Sequence, residues 1–144
     1  MKKFRFSMES ILRVNQTRKE LAMSEMAEAT QKYENEQKKL IRIENELMEQ
    51  LNQRAVPGEH SASYLLQKEK YLKLLRDRRL FQYKNLEAAG KVLERSKEKL
   101  KKAFIEVKKM DMACERQKKN WMTESNREEQ AVNDEIGTNR YFFG

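Results

Sequence analysis

The chain has 144 residues, of which 38% are hydrophobic and 38% charged, with four Gly, one Pro and one Cys. A typical soluble domain is roughly 45–50% apolar and 25% charged. These figures therefore leave too little apolar material to wall in an enzyme pocket, and they exclude collagen-like, disulfide-rich and membrane-spanning classes. The net charge of +8 is uneven: residues 1–60 are almost neutral, residues 68–119 carry 18 basic against 8 acidic side chains, and residues 120–144 carry 2 against 5.

Ala, Glu, Lys, Leu and Arg make up about half of the chain, a share that marks long helices when it is periodic. From Met1 to Val56 there is neither Gly nor Pro, and the pattern predicts helix one over about 6–54. Its apolar stripe runs through Ile11, Leu12, Ala22, Met26, Ala29, Tyr33, Leu40, Ile43, Leu47 and Leu51. Spacings of three and four dominate, as one buried helix face requires. The small Ala22 and Ala29 allow a partner to approach closely.

Pro57-Gly58 is the strongest punctuation in the sequence and predicts a turn over 55–61. Ser61 or Ser63 can cap the helix that follows. Helix two is predicted over about 62–136. Leu65, Leu72, Arg79, Leu86, Leu93, Leu100, Val107, Cys114 and Trp121 recur every seven residues. Their companion position is filled by Lys68, Leu75, Gln82, Ala89, Ser96, Ala103, Met110 and Gln117. A seam sustained over this many heptads argues for a coiled coil. Gly90 flanks it and lowers helix propensity. Gly137-Thr138-Asn139 is the next stop signal, which leaves 137–144 as a flexible tail.

A short connection makes consecutive helices antiparallel neighbours, and one narrow apolar stripe cannot hold a helix folded alone in water. The expected fold is all-α: an antiparallel two-helix coiled-coil hairpin, a single domain over 1–144, with the second helix longer than the first. With Arg54 opposite Ala62, Leu51 meets Leu65, Tyr33 lies near Tyr83, and Leu12 lies near Phe104. Phe4 and Phe6 then reach only to about Met110–Met112. Cys114 and Trp121 continue the seam beyond helix one, an exposure that marks a contact surface. A partner protein, a second copy, or Tyr141-Phe142-Phe143 folding back would each cover it.

No catalytic, cofactor-binding or metal-binding constellation is legible. His60 is a lone loop histidine, Cys114 sits on the seam as a packing residue, and there is no Gly-rich phosphate loop or Cys/His ligand set. The basic runs Arg76-Asp77-Arg78-Arg79 and Lys97-Glu98-Lys99-Leu100-Lys101-Lys102 are interrupted by acids and match no nucleic-acid-reading module. A helix lying in a membrane needs a broader apolar face than these stripes.

Phe4-Arg5-Phe6 followed by Ile11-Leu12 resembles the opening of the FliJ proteins of bacterial flagellar type III export. Ile105-Glu106-Val107-Lys108-Lys109 and Glu115-Arg116-Gln117 are similar to the second helix of Bacillus-type members. Arg127-Glu128-Glu129-Gln130 and Asn133-Asp134-Glu135-Ile136 resemble the closing segment. The resemblance implies a non-enzymatic, stalk-like coiled coil without cofactor, located in the cytoplasm and peripheral at the cytoplasmic face of the membrane through its partners. Those partners are the hexameric export ATPase FliI, the cytoplasmic region of the export gate FlhA, and export chaperones. It implies that Phe4, Phe6, Met110, Cys114, Arg116, Trp121, Arg127 and Arg140 face the ATPase ring. It places gate contacts at Leu40, Ile43, Leu47, Tyr71, Leu75, Arg78 and Gln82, with Glu36 beside them, although several of these also lie on the predicted seam. A structural coiled-coil adapter of another secretion or rotary-ATPase assembly is the alternative, and a nucleic-acid-associated coiled coil the weaker third.

Overall fold

The computed structural model describes residues 3–53 and 61–143. Two helices account for nearly all of them: α1 over Glu9–Asn52 and the longer α2 over Ala62–Phe143. No strand occurs among the described residues. Most of the predicted turn, with Pro57, Gly58 and His60, lies outside the described residues.

The helix ends follow local chemistry. Glu9 opens α1, where a carboxylate opposes the positive end of the helix dipole, and it binds Arg13 one turn on at 2.9 Å. Ser61 caps α2: its hydroxyl accepts the Tyr64 N–H at 3.2 Å and its carbonyl accepts the Leu65 N–H at 3.1 Å. The last turn of α1 has no basic residue of its own. Lys68 of α2 instead donates to the Gln53 carbonyl at 3.4 Å, satisfying one of the acceptors a helix end leaves open.

The chain divides into two compact units. Unit 2, Ala22–Leu100, is a helical hairpin made of the second part of α1 and the first part of α2. The segments run antiparallel: Tyr71 bonds Glu46, Gln82 bonds Glu36, and Lys99 bonds Glu25. Its core is Leu47, Leu72 and Leu75 with Tyr71 packed against them, and Leu75 is only 1% exposed. Ala22 and Ala29 are also buried, as their small size led us to expect.

Unit 1, Met1–Leu21 with Lys101–Gly144, is a second antiparallel pair. Lys19 lies over the Phe104 ring at 4.5 Å, Ser7 meets Gln117, and the Phe4 and Trp121 rings are 5.9 Å apart. Val107 and Phe6 are buried.

The α2 heptad is realised: from Leu72 to Trp121, every predicted seam position and every companion from Lys68 to Gln117 is buried or half-buried. In α1 the described burial also repeats every seven residues, through Leu12, Lys19, Met26, Tyr33, Leu40 and Leu47. Ile11 and Leu51, expected on that stripe, are 47% and 52% exposed, and Leu65 is 47% exposed. Leu51 and Leu65 therefore do not form the first seam layer. Arg54, whose pairing with Ala62 the expected register assumes, lies outside the described residues, but the Gln53 carbonyl meets Lys68 rather than a residue at the start of α2, so the register is shifted from the expected one. Tyr33 abuts Gly90 and, as expected, lies near Tyr83, with which it lines one surface groove, while Lys19 rather than Leu12 covers Phe104.

Two glycines lie inside α2. A Cβ on Gly90 would sit 3.5 Å from the Tyr33 ring, an ordinary contact, and Gly90 does not adopt a left-handed backbone. Gly90→Ala is therefore expected to stabilise the chain by about 0.5–1 kcal/mol through helix propensity alone. Urea melts followed by circular dichroism check this, and a loss of stability would mean that Tyr33 cannot yield even slightly. Gly137 does not end the helix either. Its backbone is not left-handed, and the Thr138 hydroxyl donates to the Asp134 carbonyl at 2.8 Å within an unbroken helix. The expected tail from 137 is thus helical through Phe143.

Candidate functional site

The expected ring-contact residues all fall in unit 1. The segment before Glu9 is not helical; the Phe6 carbonyl accepts the Glu9 N–H at 3.3 Å in a turn that leads into α1. The register already seen where Lys19 covers Phe104 carries through Ser7 and Gln117, so Phe4 meets Trp121 and not the neighbourhood of Met110–Met112. The rings meet at a tilt of 53°, an arrangement worth about 0.5–1.5 kcal/mol beyond buried area. Ser7 locks the register beside them: Gln117 donates to its hydroxyl at 3.0 Å, and the Ser7 N–H approaches Gln117 Oε1 at 3.4 Å. The expectation that Cys114 and Trp121 lack an intramolecular partner is corrected accordingly. Trp121 is covered by the N-terminal segment, and both residues are half-buried.

The unpartnered part of α2 starts further on. Every described residue from Asn126 to Phe142 is exposed, including Val132, Ile136, Tyr141 and Phe142 at 54%, 48%, 85% and 71%. Tyr141 and Phe142 stack edge-on against each other and do not fold back over Trp121. Arg116, Arg127 and Arg140 are exposed, Met110 is half-buried, and Phe6 is buried at 8%.

In unit 2, most of the expected gate residues are core. Leu40, Leu47, Leu75 and Gln82 are buried, Ile43 and Tyr71 half-buried, and only Arg78 is exposed. Seam geometry accounts for them without a partner. The exposed apolar side chains of the same region include Ile41, Met48, Leu74, Leu80 and Phe81, at 44–66% exposure. Reading the seam missed these, although Ile41/Met48 and Leu74/Phe81 each recur at seven residues on otherwise polar faces. That repeat away from the seam was the available signal.

Four side chains on the α2 part of unit 2 reach carboxylates of α1. Gln82 donates to the Glu36 carbonyl at 2.9 Å and to its carboxylate. Tyr83 donates to Glu44 at 2.7 Å, Tyr71 to Glu46, and Lys99 to Glu25 at 2.8 Å. The hydrogen bond from Gln82 is the main reason the Glu36 carboxyl is held below its ordinary 4.5; it prevails over desolvation, with help from Lys39 and Lys32. The hydrogen bonds to Glu46 and Glu44, aided by desolvation and the carboxylate charge, raise Tyr71 and Tyr83 above their ordinary 10.0.

These shifts fix a pH profile. A depressed carboxyl stabilises the fold above its unfolded pKa, and that share is lost as pH falls through the folded value; a raised phenol contributes below its unfolded pKa and is lost as pH rises through the folded value. Urea melts should therefore weaken below about pH 4.5 and above about pH 10. Gln82→Ala should flatten the acid limb, while Tyr71→Phe with Tyr83→Phe should flatten the alkaline one. An acid limb untouched by Gln82→Ala would contradict the assignment.

Among the described residues there is no group of three His, Cys, Asp or Glu placed to hold a metal ion. No helix among them is long and apolar enough to cross a membrane.

Comparison with protein-family models places the match on the flagellar FliJ protein, over residues 4–143. The chain belongs to the FliJ family. Neither curated proteins nor solved structures give a match. FliJ membership makes this an export-related flagellar protein, of a family that is a non-enzymatic component of export. The matched span takes in both units and both ends of α2.

Proposed function

We propose that this FliJ protein is a stalk-like adapter of the flagellar export apparatus. Unit 1 enters the ring of the export ATPase FliI, and unit 2 meets the cytoplasmic region of the export gate FlhA and export chaperones. It works in the cytoplasm, at the inner face of the membrane. It hydrolyses nothing itself; it acts by being held.

The observation carrying this reading is the stretch of α2 beyond Trp121. It is seventeen consecutive exposed helical residues from Asn126 to Phe142 with four large apolar side chains. A helix without a packed face is marginal in water at this length, so a surrounding protein surface is the natural source of its stability. Arg116, Arg127 and Arg140, with the acidic side chains of 120–144, supply polar contacts around that apolar stripe. Trp121, Cys114 and Met110 take part by holding the paired base from which the stretch projects, together with Phe4 and Phe6.

For the gate, the exposed Ile41, Met48, Leu74, Leu80 and Phe81 are the contact residues, joined by Arg78. Leu40, Ile43, Leu47, Tyr71, Leu75 and Gln82 serve as the packed base beneath them. The test of the whole reading is ATP hydrolysis by the purified export ATPase with and without this protein. The expected result is a faster rate together with co-purification. An unchanged rate with no complex would sink it.

A further inference from the structure

The +10 of residues 68–119 is not an evenly solvated surface. Along Lys101–Lys119 of α2 all seven basic residues are exposed, and six of them, Lys101, Lys102, Lys108, Lys109, Arg116 and Lys119, face one way, with Lys118 elsewhere. At 3.6 residues per turn they share an arc of about 120° centred opposite the seam of Val107, Met110 and Cys114. The only other residues in that arc are Ile105 and Met112, seven apart and exposed at 44% and 49%. No acid lies within it. Glu115 and Glu106 stand just outside, and Glu106 pairs with Lys109 at 3.4 Å. The preceding face of α2 does not continue this pattern: Glu87, Glu94 and Glu98 alternate there with Lys84, Lys91 and Arg95.

We propose that this face of unit 1 adsorbs directly to an anionic phospholipid surface, with the lysines over the headgroups and Ile105 and Met112 at their level. Charge complementarity selects the occupant. The face is five lysines and the single Arg116; lysine is a compact point charge that reads a diffuse field, and one guanidinium among five ammoniums makes no set of forks to grip successive phosphates. Two isolated apolar side chains centred among the cations suit a headgroup layer, with the lysine stems lying along it. On a nucleic-acid backbone they would meet only phosphate and sugar. Binding of this kind needs no broad apolar stripe, which is why a search for a membrane-embedded helix overlooks it. It also differs from membrane association through partners alone, the arrangement implied by the family resemblance, and does not depend on the ring-entry reading.

The experiment is co-sedimentation of the full chain with vesicles of phosphatidylcholine containing phosphatidylserine, in physiological salt. Binding is expected with phosphatidylserine and not with phosphatidylcholine alone. Each basic residue near such a surface is worth roughly fivefold in partitioning. The triple change Lys102→Glu, Lys108→Glu and Lys109→Glu should therefore weaken binding by roughly a hundredfold or more, with helicity unchanged because all three are exposed. Ile105→Trp serves as a reporter, whose added emission should shift to the blue on phosphatidylserine vesicles and stay put on duplex DNA or polyglutamate. Absence of vesicle binding, binding indifferent to the triple change, or an equal response to duplex DNA or polyglutamate would each overturn the proposal.

Discussion

Leu75→Ala is expected to cost about 2–4 kcal/mol of stability, the usual range for truncating a fully buried leucine. Leu75 is 1% exposed and shares its cluster with Leu47 and Leu72, under Tyr71. Two helical segments have one narrow seam between them, so few neighbours can move in to fill the space. Domains are stable by only about 5–15 kcal/mol in total, so this one change removes a large share. The neighbouring Leu74, 44% exposed, provides the control: Leu74→Ala should stay within about 0.5 kcal/mol. Urea melts followed by circular dichroism make the comparison. Equal losses at the two positions would mean that the seam does not hold unit 2 together.

Charge reversal of Arg116 and Arg127 together is expected to abolish stimulation of the export ATPase, as is truncation after Met110. Both arginines are exposed, so reversal should leave the fold intact. In an interface, a reversed charge loses its own contact and also repels the group that contact had satisfied. Truncating one partner of a buried charge pair costs about 2–5 kcal/mol, enough to reduce binding by more than tenfold. Truncation after Met110 removes more, including Gln117 and Trp121, on which Ser7 and Phe4 rest. The point variants are therefore the cleaner probe. Unchanged stimulation by the reversed protein would withdraw Arg116 and Arg127 from the contact.

The seam of α2 was legible because its spacing is strict from Leu72 to Trp121 and mostly apolar. Even Arg79 and Gln82 take up the places the repeat assigns them. In α1 the same repeat is masked by composition. Lys19, Asn15, Glu36 and Gln50 occupy buried or half-buried seam positions, so apolar residues alone trace an irregular stripe that wrongly includes Ile11 and Leu51. Polar seam residues become readable only once their partners are known, as with Glu36 and Gln82.

The reach of the N-terminal segment was not legible. The register that brings Phe4 to Trp121 is the one held by Lys19 over Phe104 and by Ser7 on Gln117, and polar or charged residues at those places leave no mark in an apolar pattern. Gly137-Thr138-Asn139 carries the composition of a stop, yet Thr138 satisfies a helical carbonyl and the helix runs on. As for the sites, most of the gate residues implied by the family resemblance occupy core positions of unit 2. Leu75 and Leu80 differ in burial because of where the seam passes, and only the three-dimensional register separates them.

The most direct test of the adapter reading keeps the paired base and removes only the exposed stretch. A chain ending at Ser125 retains Phe4 against Trp121 and Ser7 against Gln117, and lacks the exposed residues from Asn126 onward. Its ability to stimulate ATP hydrolysis by the export ATPase is measured beside that of the full chain, with urea melts to establish that the helix pair is intact. The account predicts an intact pair and no stimulation; stimulation equal to that of the full chain would contradict it.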